Sequence, residues 1–185
     1  MIVENKGRDV FPFLKQLKLV FKKYKYVCHI HIKKTQTVFF PKLGELWSKY
    51  LLNNLLGNKE IIIEILSNFE NYDKLGFIFP ETYYEVYLNF GKILSKINKK
   101  HMNNILQIIF PNNNYKVGKI LDFPEGNMFW AKISSIYQIL NADFYEKIPG
   151  EKGQNDGTII NGIERIWLYL VKINGYYYQK IFKHY

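Results

Sequence analysis

A chain of 185 residues with 48% hydrophobic and 17% aromatic side chains is long and apolar enough to bury one real core, which excludes an extended disordered chain. One cysteine, Cys28, excludes a disulfide framework and fits a reducing compartment. The net charge of +10 points to anionic partners, but of 26 basic residues only Arg8 and Arg165 are arginine, the side chain that base readout and bidentate phosphate clamping favour. No nucleic-acid partner is therefore expected.

In chain order, VFPFLKQLKLVFKKYK (10–25) has helical apolar spacing, with Asp9 placed to cap it and Pro12 in its first turn. YVCHIHI (26–32) alternates as a strand. ELWSKYLLNNLLG (45–57) predicts a helix closed by Gly57, and NKEIIIEILSNF (58–69) a second one that Asn58 can cap. LGFIFP (75–80) predicts a short apolar strand, and residues 83–109 are expected to be mostly helical. KILDFPEGNMFWAK (119–132) mixes strand character with a turn from Pro124 to Asn127. SSIYQIL (134–140) predicts a helix, GEKGQNDG (150–157) a polar loop and TIINGIERIWLYLVKI (158–173) the last long helix. Alternating helices and strands with no repeat, linker or composition break predict a single α/β domain over residues 1–185. No apolar run reaches the length of a membrane span and MIVENKGRD lacks a signal-peptide core, so a soluble cytoplasmic protein is expected.

Three polar clusters exceed what such a fold requires. In NKGRDVFPF (5–13), Gly7 permits a sharp turn. Arg8 and Asp9 then stand at a helix start, as a plain cap or against a nucleotide phosphate. In YVCHIHIKKT, His29 and His31 share one strand face, opposite Ile30 and Ile32, so they need not face the core. They could be two ligands of a partial metal site. Lys33 and Lys34 follow as point charges suited to a diphosphate. In FPEGNMFW and GEKGQNDGTIINGIER, Glu125, Gly126 and Asn127 form a turn. Gln154, Asp156 and Thr158 lie at a helix start, with Glu164 and Arg165 about two turns further in. Asp156 could be only a helix cap there, Glu164 and Arg165 only a surface pair, and Met128, Phe129 and Trp130 core.

Together NKGRDVFPFL (5–14), VCHIHIKKT (27–35), LWSKYLLNNLLGNKEII (46–62), LGFIFPE (75–81), FPEGNMFWAK (123–132) and GQNDGTIINGIER (153–165) resemble, in order and spacing, the rhamnan synthesis protein F family of bacterial polysaccharide glycosyltransferases. The resemblance implies transfer of a rhamnose-like sugar from a nucleotide-sugar donor to a cell-surface polysaccharide or lipid-linked acceptor, on a Rossmann-like glycosyltransferase A fold. It implies donor contacts from Arg8, Asp9, His29, His31, Lys33 and Lys34. Glu125, Gly126, Asn127, Gln154, Thr158, Glu164 and Arg165 would hold sugar and acceptor, and Asp156, with Glu151 behind it, would act as base. A divalent cation, Mg2+ or Mn2+, is the implied cofactor, with His29 and His31 its candidate ligands. Basic charge and family context together imply peripheral contact with the anionic inner face of the plasma membrane. Two departures stand out. Family members commonly carry Ala-His-Ala where this chain has Ile160-Asn161-Gly162, and the first strands of the fold are expected upstream of NKGRD, on a missing N-terminal half or a partner chain. The alternative is a catalytically silent remnant that keeps the fold; a basic nucleic-acid-binding module ranks below both.

Overall fold

The computed structural model describes residues 7–32, 42–90, 96–118, 122–142, 144 and 158–182. Its helices are α1 (Val10–Val20), α2 (Leu43–Leu56), α3 (Lys59–Asn71), α4 (Tyr84–Phe90), α5 (Lys96–Ile109) and α6 (Ile159–Ile173). Its strands are β1 (Tyr26–His29), β2 (Leu75–Pro80), β3 (Phe129–Lys132) and β4 (Tyr177–Ile181). They form one mixed sheet in the order β1-β3-β2-β4; β3 runs antiparallel to both β1 and β2, and β2 and β4 pair in parallel.

β2 is buried at every position, as an unbroken apolar run in mid-sheet should be. Its side chains feed two cores. Phe77 and Phe79 pack with Phe129 and Ala131 of β3 against α1, α5 and α6, while Leu75 and Ile78 join Met128 and Ile181 against α2 and α3. Helix α6 buries Ile159, Ile160, Ile163, Ile166, Trp167, Leu170 and Val171, a helical spacing that seats one whole face on the first core. At roughly 1.5–3 kcal/mol for each large apolar side chain removed from water, this helix is a principal contributor to stability.

Local signals operate where they involve only near neighbours. Asn58 caps α3, its Oδ1 accepting the Ile61 N–H at 2.9 Å. Gly57 ends α2, though in right-handed rather than left-handed geometry. Three expectations are corrected. Helix α1 stops at Val20 rather than residue 25, and β1 stops at His29 rather than residue 32. The 134–140 helix is instead two 3-10 turns, Ile133–Ser135 and Tyr137–Asn141. The Ser135 hydroxyl lies 2.8 Å from both the Lys132 and Gly76 carbonyls and shares its one proton between them, tying this segment to β2 and holding it in a tight turn. Strand β4, which no local signal marked, completes the sheet through parallel pairing with β2.

Candidate functional site

The site forms where β1 ends. The register pairs His29 with Phe129, so residues just past β1 lie alongside the turn that precedes β3. That turn is closed by the Asn127 N–H donating to the Pro124 carbonyl at 2.8 Å. Gly126 and Asn127 both adopt left-handed geometry, φ 86° and 54°; Asn is among the few side chains that enter this region readily. Helix α1 delivers Asp9 to the same place. The chain enters the helix through left-handed Gly7 (φ 70°) and Arg8 (φ 53°).

Asp9 occupies the N-cap position but makes no cap hydrogen bond; its carboxylate is used elsewhere. Asn127 Nδ2 donates to Asp9 Oδ2 at 2.6 Å, and His29 Nε2 donates to the same oxygen at 3.1 Å. His31 Nε2 lies 3.5 Å from that oxygen and donates to the Gly126 carbonyl at 2.8 Å. Behind them, Trp167 Nε1 donates to Asn127 Oδ1 at 2.8 Å, which fixes the amide with its NH2 toward Asp9. The Phe13 ring stands 4.1 Å from the His29 ring, and Phe129 5.4 Å from it.

Burial alone would raise the Asp9 carboxyl. The hydrogen bond from His29, the adjacent imidazole charges and the Asn127 amide outweigh it and hold the group down at about 2. Burial pushes the His29 imidazole below its ordinary value, against the pull of Asp9. At neutral pH the pair is thus a carboxylate beside a neutral imidazole.

Of the residues singled out in sequence, Asp9, His29, His31, Gly126 and Asn127 come together here, with Arg8 adjoining Asp9 in the chain and Glu125 in the same turn. The histidines point inward: His29 is 5% exposed, while Ile30 and Ile32 are exposed at 43% and 83%. This reverses the expectation that they could lie away from the core, because α1 and α6 cover the face that they share. Thr158, Glu164 and Arg165 belong to α6. Thr158 is its N-cap residue, and Asn161 Oδ1 accepts from the Thr158 N–H (3.1 Å) and hydroxyl (2.8 Å). Asn161 thus has a capping role at the start of α6. Arg165 Nη1 donates to the Asn161 carbonyl at 3.1 Å, its guanidinium lies 5.0 Å over the Phe123 ring, and Glu164 is 3.7 Å away. Lys33, Lys34, Glu151, Gln154 and Asp156 lie outside the described residues. Sequence reasoning missed Trp167, whose partner Asn127 is 40 residues away; it also missed the Thr158-x-x-Asn161 pattern, a capping-box variant readable in sequence.

The comparisons with known proteins bear on this cluster as a whole. The family model "Rhamnan synthesis protein F" matches residues 1–176. The chain belongs to the rhamnan synthesis protein F family. The match spans every residue of the site. The chain is also 27% identical over 168 residues to the uncharacterized protein WxcX of Xanthomonas campestris pv. campestris, both in strain B100 and in strain ATCC 33913. Each match covers 88% of this chain and 22% of WxcX, so the chain spans about a fifth of the relatives it matches. No solved structure matches it. Among the described residues no helix is long and apolar enough to cross a membrane.

Proposed function

We propose that this chain is part of a glycosyltransferase that moves a rhamnose-like sugar from a nucleotide-sugar donor to a growing cell-surface polysaccharide. The observation that carries the reading is the convergence of Asp9, His29, His31 and the Gly126–Asn127 turn at the end of β1, in a chain of the rhamnan synthesis family. Donors bind at strand ends in α/β folds, and this cluster supplies the polar, oriented groups that a sugar diphosphate requires there. The left-handed turn fixes Asn127, whose amide holds the Asp9 carboxylate in position for a ligand at the strand end. A Rossmann-like glycosyltransferase A architecture belongs to the same reading; the parallel β2–β4 pair and helices on both sheet faces support it. The charge of +10 supports peripheral contact with an anionic membrane carrying the acceptor.

The test is saturation-transfer NMR with dTDP-rhamnose and other nucleotide sugars, with and without Mn2+, on the wild-type chain and on Asn127→Ala. Binding to at least one donor, weakened in the variant, is expected. Absence of binding to every donor under both conditions would refute the reading for this chain.

A further inference from the structure

We propose that Asp9, His29 and His31 form a binding site for a divalent transition-metal ion, made of one carboxylate oxygen and two imidazole nitrogens on one side of the ion. The three ligand atoms lie within 4.8 Å of one another. Two of the three separations are 3.1 Å and 3.5 Å, both converging on Asp9 Oδ2. Bonds of about 2.0–2.2 Å from a metal to nitrogen or oxygen set neighbouring ligand atoms roughly 3–3.5 Å apart in octahedral or tetrahedral geometry. The cluster therefore needs little movement to close on an ion.

The surroundings supply what such ligands need. A ligating histidine must free the coordinating nitrogen and commit its other ring nitrogen to an acceptor. His31 has that arrangement: its Nε2 faces the cluster, and its Nδ1 lies 3.4 Å from the Ile32 carbonyl, which can take the proton-bearing side after a tautomer switch. The Gly126 carbonyl, now bonded to His31 Nε2, is left beside the ion, able to accept from a metal-bound water. Asp9 Oδ2 is oriented by Asn127, which Trp167 orients in turn, a two-step buttress reaching into the core. His29 is held between Phe13 and Phe129. The side chains of Asp9 and His31 stay 13% and 18% exposed, so an ion can reach the cluster from solvent through these two ligands.

Two imidazoles and one carboxylate select borderline ions, Mn2+, Fe2+, Co2+ or Zn2+, over the hard Mg2+. The proposal deepens the donor-site reading, since a cation there would bridge Asp9 to a diphosphate, but metal binding itself does not depend on glycosyl transfer.

The experiment is titration of the untagged, chelator-treated chain with Co2+, followed by its visible d–d absorption, and calorimetry with Mn2+, Zn2+ and Mg2+. Asp9→Asn and His31→Ala are titrated alongside after circular dichroism confirms that they fold; His31→Ala is the safer variant because its ring is the less buried of the two histidines. Expected are one Co2+ per chain with nitrogen-ligand absorption, Mg2+ at least tenfold weaker than Mn2+, and loss of 100-fold or more in affinity in either variant. Absence of saturable binding, or equal binding in wild type and both folded variants, overturns the proposal. Metal binding without any nucleotide-sugar binding would leave it standing while defeating the glycosyltransferase reading. Donor binding unaffected by chelator, with no metal bound, would do the reverse.

Discussion

Replacing Trp167 with phenylalanine tests the buttress of the site with a small change in shape. The indole N–H donates to Asn127 Oδ1 at 2.8 Å, and both residues are buried, at 0% and 4% exposure. Phenylalanine removes the donor and leaves that oxygen facing an apolar wall, at about 1–3 kcal/mol for a buried polar group that loses its partner. The smaller ring adds roughly 1 kcal/mol for the space left between Phe13 and Phe129. A total near 2–4 kcal/mol corresponds to a fall in Tm of about 4–15 °C for a chain of this size. The assay is thermal and urea unfolding followed by circular dichroism, repeated in an Asn127→Gly background. Glycine accepts the left-handed backbone at position 127 and carries no oxygen to be orphaned. In that background the indole N–H has already lost its acceptor, so Trp167→Phe relieves an orphaned donor and should cost no more than the packing loss of about 1 kcal/mol. Equal losses in the two backgrounds, or a wild-type loss under 1 °C, would show that the hydrogen bond does not hold the turn.

Gly162→Ala should destabilise the chain by about 1 kcal/mol, because its methyl would sit 2.9 Å from His101 Cβ and from Ile105 Cδ1 across the α5–α6 contact. Overpacking of about 1–3 kcal/mol then outweighs the helix-propensity gain of about 1. An unchanged or higher urea midpoint would count against that close approach. Lys132→Met should lower stability by about 1.5–3 kcal/mol, since Lys132 is a buried residue whose ammonium donates to the Tyr72 and Asp73 carbonyls at the C-terminus of α3; hydrogen exchange in the last turn of α3 should rise with it, and unaltered protection there would contradict the capping role. Burial pushes the Cys28 thiol up to about 12, so its thiolate is scarce at pH 8 and iodoacetamide should react on the order of a thousand-fold more slowly than with a free peptide cysteine. The rate should keep climbing from pH 9 to pH 11, where a free thiol levels off; an early plateau would place the thiol in a wetter environment.

What was readable in the chain were features decided within a few residues or by strong periodicity. Asn58 capping α3, the apolar run of β2 and the long face of α6 all appear where their local pattern places them, because each is a short-range or one-face decision. The family resemblance likewise follows from the linear order of motifs, and the family model bears it out over residues 1–176. It singled out Asp9, His29, His31, Gly126 and Asn127 individually.

Only the tertiary structure decided what those residues do together. Asp9 reads as a helix cap, yet its carboxylate serves His29 and Asn127, because α1 lies over the sheet face that carries the histidines. Alternation around His29 and His31 established that they share a face. Which face is inside depended on β1 pairing with β3 and on α6 covering that side. Trp167 joins Asn127 across 40 positions of sequence, a contact that no local pattern encodes. Strand β4 exists as a strand only because β2 offers it an edge. Residue chemistry and periodicity determined the elements and the candidates; strand register and helix docking determined that five of those candidates face one another.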